Sequence, residues 1–391
     1  LTIRLSRRWA SIAVIVLMAG ALTACGGPAA PTSWSGLTVS GQTAYLAATD
    51  HIYALDVNPL TNDLQRQKWT FPAAEERVAA TFHSQPVVSE SGIVYAGSDG
   101  LSGQGFLFAF DAATGASKWI YPSGESAAPL GSVFGAVAYD GQSIFAGTND
   151  GRVVSVDAES GRLNWTYPAT TTSALGRIWS SPVVSGSVVY LTSQDHNLYA
   201  LNAASGEPAW EQPFKAGAVL AGAPTVYGNT VYAGSFDQKL YAIDAATGAK
   251  KWEFAAQGWL WEGPAVFDDV LYFGDLSGHL YAVRLDGTPL WSEPRKLDGM
   301  IRARPLVTED RIYVATGARK LFAINRATLA DDWPQPFTTP NDGESLLTTP
   351  VLAGDLALVA PLPSGGSPVR LYAVNTVSGN LEWQFPAPTA Q

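Results

Sequence analysis

Residues 223–254 decide the fold: Ala223-Pro224-Thr225-Val226, then Val231-Tyr232-Ala233-Gly234-Ser235, then Lys239-Leu240-Tyr241-Ala242-Ile243-Asp244-Ala245-Ala246-Thr247-Gly248, then Lys251-Trp252-Glu253-Phe254. Each piece is short, alternates in polarity and is bounded by turn residues, so the unit reads as four β-strands. The same phrases recur along the chain. The third-strand position is occupied by Tyr53, Phe108, Val154, Tyr199, Tyr241, Tyr281, Phe322 and Tyr372, at steps of 55, 46, 45, 42, 40, 41 and 50 residues. A fourth-strand Trp follows each: Trp69, Trp119, Trp165, Trp210, Trp252, Trp291, Trp333 and Trp383. Asp111-Ala112-Ala113-Thr114-Gly115 and Asp244-Ala245-Ala246-Thr247-Gly248 read as hairpin loops, in which Asp bonds its own backbone and Gly supplies a positive φ. Ala200, Ala242 and Ala282 beside the strand Tyr permit close approach of sheets, and the Trp is large enough to reach the neighbouring sheet. A four-stranded unit of about 45 residues cannot bury both faces alone. Stacked radially, eight such units predict an all-β, eight-bladed β-propeller of antiparallel blades. Closing that ring is expected to make the two chain ends share a blade. A linear solenoid is the alternative, although neither end carries a polar capping repeat.

Pro86-Val87-Val88, Val94-Tyr95-Ala96-Gly97-Ser98-Asp99-Gly100 and Thr114-Gly115-Ala116-Ser117-Lys118-Trp119 are similar to the phrases of the pyrroloquinoline quinone (PQQ) type propeller repeat. The similarity extends over about residues 34 to 386.

The amino terminus reads as an address. Arg4, Arg7 and Arg8 precede an apolar run from Trp9 to Leu22, which ends in Leu22-Thr23-Ala24-Cys25. The run is shorter than the ~20 residues that a membrane-spanning helix needs, and the layout is that of a signal peptide. Leu-Thr-Ala-Cys resembles a bacterial lipobox, and that resemblance implies lipidation of Cys25 with cleavage before it. Residues 1–24 are thus expected to be a lipoprotein signal, 25–33 a flexible tether, 34–386 the propeller and 387–391 a tail. The residue after Cys25 is Gly, not the Asp that retains such proteins at an inner membrane, so outer-membrane sorting is permitted where that membrane exists; otherwise the outer face of the cytoplasmic membrane is expected. With eight repeats behind a lipobox, the chain resembles the BamB class of envelope lipoproteins. This resemblance implies a monomeric scaffold whose partner is an envelope protein of the machinery inserting β-barrels.

Charge and composition narrow the function. The chain has 391 residues, 24 Lys and Arg against 34 Asp and Glu, and a formal charge of −10; removing the signal segment, with its three arginines and no acid, takes the rest to −13. So acidic a body, without a basic run, does not gather nucleic acid. One Cys and four His leave no zinc-type spacing. Quinoprotein dehydrogenases share the repeat but carry an adjacent Cys pair and a Ca²⁺ site beside a catalytic Asp. Here the only Cys is at the amino terminus, and Asp56, Asp111, Asp157, Asp244, Asp99, Asp150 and Asp237 fall on repeat turns. No cofactor is expected, and PQQ-dependent redox activity is the less favoured reading. His51, His196 and His279 each precede a third strand and read as surface turn residues. No Gly-x-Ser-x-Gly elbow, phosphate loop or His-Glu-x-x-His occurs.

What remains is chemistry that the repeat does not require. Trp179 stands before Pro182, and Trp259-Leu260-Trp261-Glu262 before Pro264, each leading into an innermost strand; equivalent positions elsewhere hold His83, Arg177, Arg302 and Arg304. Those lead-ins should ring the mouth of the central channel. Trp and Arg together are the usual composition of a binding hot spot. His83, Arg177, Trp179, Trp259, Trp261, Glu262, Arg302 and Arg304 are therefore the candidate partner- or ligand-binding residues. The bland alternative is that the aromatics only plug a wide ring and that Glu262 pairs with an Arg. Two functions stay open: a protein-binding scaffold, and a ligand-binding or sensory module using the mouth.

Overall fold

The hydrophobic alternation of the repeats resolves into eight antiparallel sheets, each built from consecutive strands. The structure is a computed structural model that describes residues 35–387, apart from 74–77, 79, 101–102, 124–127, 170–174 and 363–367. The signal and tether therefore lie outside the described residues. Blade 1 comprises Gly36–Ser40, Thr43–Ala48, His51–Asp56 and Gln67–Phe71, and blade 8 comprises Val351–Ala353, Leu356–Val359, Leu371–Asn375 and Leu381–Phe385. Blades 2 to 7 occupy 87–121, 138–167, 183–215, 225–255, 265–296 and 306–338 in the same order. Blade 2 has the tallest hairpin, Ile93–Gly100 with Gln104–Asp111, and its tip gains Ala80–Thr81 and Leu130–Gly131 as extra pairs.

The ring closes differently from the sequence expectation. Both terminal blades possess all four of their own strands, so among the described residues no strand is exchanged between the ends. The seam is closed by side chains: Leu37 and Leu46 of blade 1 share one buried cluster with Leu356, Leu358 and Trp383 of blade 8. Ser35 Oγ also donates to Pro361 O at 3.0 Å across the seam. A solenoid has no such contact between its first and last repeats.

Six of the eight joints between blades have a lock legible in the repeat. The Trp of one blade lies flat on the turn Gly of the next: Trp69 on Gly115, Trp119 on Gly161, Trp165 on Gly206, Trp210 on Gly248, Trp252 on Gly287 and Trp333 on Gly379. These glycines have φ of 69–88°, and a Cβ at Gly161 would sit 2.7 Å from Trp119. Gly is needed for both reasons. The indole N–H then donates to a carbonyl of the same turn, as from Trp119 to Ala158 O at 2.9 Å.

Three Trp residues depart from the expected strand. Trp210, Trp291 and Trp333 precede their blades' outer strands, which shrink to Phe214–Lys215, Arg295–Lys296 and Phe337–Thr338. Pro213, Pro294 and Pro336 immediately precede those pairs and cannot donate to the ladder.

The hairpin acids also do more than turn the chain. The hydroxyl of the third-strand Tyr donates to a nearby carboxylate in several blades: Tyr199 to Asp195 at 2.7 Å, Tyr241 to Asp237 at 2.5 Å and Tyr281 to Asp275 at 2.7 Å. His279 Nδ1 also lies 3.1 Å from Asp275, and His51 Nδ1 2.7 Å from Asp50. The three turn histidines are half-buried rather than fully at the surface. Burial pushes the Asp195 carboxyl up, but the Tyr199 hydroxyl and the N–H groups of Gly176 and Asn197 outweigh it and hold it below 3.8. A carboxylate depressed by folding stabilises the fold above its unfolded value and loses that contribution as the pH falls through its folded one. Stability in urea should therefore decline below about pH 4, and Asp195→Asn should flatten the decline. An unchanged acid limb in that variant refutes this role.

Candidate functional site

The lead-in segments are positioned by an alternating set of bonds. In the blade 4 lead-in, Arg177 O accepts from Gln194 N of its own blade at 3.0 Å, and Ile178 N donates back to Thr148 O of blade 3 at 3.2 Å. The same pattern places Leu260 and Ile301. Each of these aliphatic side chains is buried against a Gly of the preceding blade; a Cβ on Gly147 would lie 2.2 Å from Ile178 Cγ2. The following residue then faces the axis. This register explains which candidates meet. His83, Trp179, Trp261, Glu262, Arg302 and Arg304 line one axial cavity of about 300 Å³, together with Phe134. Arg177 and Trp259 do not line it, because each precedes its buried aliphatic residue and sits at the rim, where Arg177 is exposed.

Two aromatic groups face the channel. His83 meets Phe134 edge-on at 4.8 Å, and Phe134 meets Trp179 edge-on at 6.2 Å. Trp179 Nε1 donates to Asn149 Oδ1 at 3.0 Å. Across blades 5 to 7, Phe236 stacks on Trp259 at 5.2 Å and tilts against Trp261 at 5.5 Å, while the Arg302 guanidinium lies 4.3 Å over the Trp261 ring. Phe236 and Asn149 were not legible as site residues. They occupy the hairpin between second and third strands, whose place beside the lead-in only the folded ring reveals.

The charges cluster beside Trp261. Arg304 Nε donates to Gly263 O at 3.1 Å, and Arg304 Nη2 lies 3.5 Å from both Ala223 O and Pro224 O. Glu262 Oε2 accepts the Ala223 N–H at 3.0 Å, but its distance to Arg304 Nη2 is 4.0 Å, longer than a hydrogen bond. These side chains are walled in by protein while keeping about three-tenths of their own surface open to the channel. Enclosure pushes the Glu262 carboxyl up, with Arg304 and Arg302 pulling it back. Enclosure likewise pushes the Arg302 guanidinium down to about 10, opposed by Glu262, so it stays charged at neutral pH. His83 Nε2 lies 3.9 Å from Asp99 Oδ2; burial raises the Asp99 carboxyl, but the nearby His83 and the bond from the Ser132 hydroxyl at 2.6 Å hold it low.

This eight-bladed ring, with its repeat intact from first blade to last, matches the family described as outer membrane protein assembly factor BamB over residues 26–194, 171–261 and 255–391. The chain belongs to the BamB family. It is 25% identical over 258 residues to outer membrane protein assembly factor BamB of Shewanella oneidensis, covering 62% of this chain and 60% of that one. BamB of Yersinia pestis is 32% identical over 185 residues, 45% of this chain and 43% of that one. A serine/threonine-protein kinase, AfsK of Streptomyces griseus, is 34% identical over 133 residues, 33% of this chain but 15% of the kinase. The chain thus spans at most three-fifths of these curated relatives. The crystal structure of BamB from Moraxella catarrhalis aligns with a TM-score of 0.60 at 20% identity, over 88% of this chain and 91% of that one. That likeness concerns the fold, as does a TM-score of 0.68 at 13% identity to the computationally designed protein Ika8.

Proposed function

We propose that this BamB-family chain is a lipid-anchored, monomeric and non-catalytic propeller on the extracytoplasmic side of a membrane, the outer membrane where the cell has one. Its task is to hold a protein of the machinery that inserts β-barrels. The supporting observation is the BamB match from residue 26 to 391, beginning directly after the lipobox cysteine. The channel wall is recessed, whereas the rim is open to a protein partner, so Arg177 and Trp259 are assigned to partner contact.

A crosslinked pull-down of the tagged, detergent-extracted protein tests this. Wild type and Arg302→Gln should recover a β-barrel insertase subunit, and an Arg177→Glu, Trp259→Ala double variant should recover about tenfold less. Recovery of no insertase subunit by wild type overturns the reading; equal recovery by the rim variant overturns the assignment of the interface. Dye reduction after incubation with PQQ and Ca²⁺ overturns the non-catalytic part.

A further inference from the structure

We propose that Asp195, Asp237 and Asp275 are the positioning residues of the partner-binding rim: each holds a lead-in from behind, so that Arg177 and Trp259 meet a partner already in place. The inference rests on the assignment of those two residues to partner contact and adds the groups that hold them. Gly176 precedes Arg177, and its N–H donates to Asp195 Oδ2 at 3.1 Å. A Cβ on Gly176 would lie 2.5 Å from Asp195 N, so only glycine lets the lead-in rest this close to the hairpin. On the other side of the rim residue, Arg177 O accepts the Gln194 N–H at 3.0 Å. Blade 6 repeats the arrangement. Gly258 precedes Trp259, and a Cβ there would lie 2.9 Å from Asp275 Cγ. The Gln257 N–H donates to the Tyr281 hydroxyl at 2.8 Å, which donates on to Asp275 Oδ2 at 2.7 Å, and Trp259 O accepts the Leu276 N–H at 2.9 Å. In blade 5, between them, Asp237 Oδ2 accepts the Gly217 N–H at 2.9 Å and adjoins Phe236, the ring on which Trp259 stacks. The backbone is thus bonded before and after each rim residue.

The acids are themselves fixed. Besides the tyrosine hydroxyls, Asp195 Oδ1 accepts the Asn197 N–H at 3.0 Å, and Asp275 Oδ1 accepts the His279 N–H at 2.9 Å. A charged acceptor makes each of these bonds stronger than one between neutral groups. Blade 7 supplies the contrast. Gly299 precedes Met300 there, but it rests on Ala318, which stands where blade 4 has Asp195. The row of acids therefore runs beneath blades 4 to 6, which carry the rim pair, and is not continued under Met300. Backbone fixed before association escapes the ordering cost that is otherwise subtracted from binding.

The crosslinked pull-down, run on a double-mutant cycle, tests this. Arg177→Glu against wild type shows whether the rim is the interface; equal recovery of the insertase subunit by both overturns that assignment and this proposal with it. Asp195→Ala should lower recovery about fivefold. Added to Arg177→Glu it should lower recovery no further, because it acts through Arg177. Unchanged recovery in Asp195→Ala, or a loss that adds to that of Arg177→Glu as general destabilisation would, overturns the positioning role and leaves the rim assignment standing. Amide exchange decides the underlying contact without any partner. The Gly176 and Ile178 amides should exchange about tenfold faster in Asp195→Ala, with those of Val188–Thr192 unchanged. An unchanged rate at Gly176 overturns the proposal.

Discussion

Cys25→Ser, made behind an ordinary secretory leader so that cleavage does not require the thiol, should move the protein from the membrane fraction into the soluble fraction. The expectation rests on one atom. Leu22-Thr23-Ala24-Cys25 puts the only thiol of the chain where a lipobox needs one. Among the described residues no helix is long and apolar enough to cross a membrane. Each buried acyl CH₂ contributes about 0.8 kcal/mol, so a second chain of ordinary length converts marginal binding into stable anchoring. Serine carries no thioether and forfeits the whole contribution. The measurement is fractionation with a carbonate wash, beside radiolabelled palmitate incorporation. A variant that stays in the washed membrane pellet refutes lipid anchoring through Cys25.

The repeat was readable because its physics is local. Asp-x-x-Thr-Gly closes a hairpin whatever surrounds it, and alternation sets the strands, so eight third-strand positions could be counted without any tertiary contact. The Trp-on-Gly lock was half readable: the size of the indole suggested a bridge, but only the ring shows that the Gly belongs to the next blade. Closure was misread because an exchanged strand is one of two ways to seal a ring. The other needs only complementary end blades, and complementarity of Leu37 with Leu356 and Trp383 is invisible in a one-dimensional pattern.

The candidate site divides along the same line. Trp and Arg stood out because the repeat does not call for them, yet the eight residues appeared as one group. The buried position of Ile178 and Leu260 divides them into rim and wall, and a lead-in of two or three residues gives no periodicity from which to read that division.

Arg66→Ala should destabilise the whole propeller by about 3 kcal/mol or more, a large share of the stability of an ordinary domain. The seam is the one joint in which the turn Gly is replaced by a longer loop, with a 3₁₀ turn at Asp63–Gln65. Trp383 is buried there, and its indole N–H has no hydrogen-bond partner among the described residues, unlike that of Trp119 at an ordinary joint. Arg66 takes over the duty of the missing glycine turn. Its guanidinium lies 4.2 Å over the Trp383 ring, and its N–H groups donate to Asp63 at 2.8 Å, to Asn58 O at 2.8 Å and to Asp56 O at 3.2 Å. The side chain is 1% exposed. Truncation removes a desolvated cation–π contact of about 2 kcal/mol. It also orphans two carbonyls and opens a cavity beneath an indole, each of which adds to the loss. Arg162, which follows the turn Gly at the equivalent place in blade 3, is exposed, so Arg162→Ala should change stability by less than about 0.5 kcal/mol. Urea unfolding of both variants measures the contrast. Equal midpoints for the two would mean that the hydrophobic cluster holds the seam without Arg66. A large loss confined to Arg66→Ala, with faster amide exchange in Gln67–Phe71 and Leu381–Phe385, would locate the weakest joint of the ring where the chain ends meet.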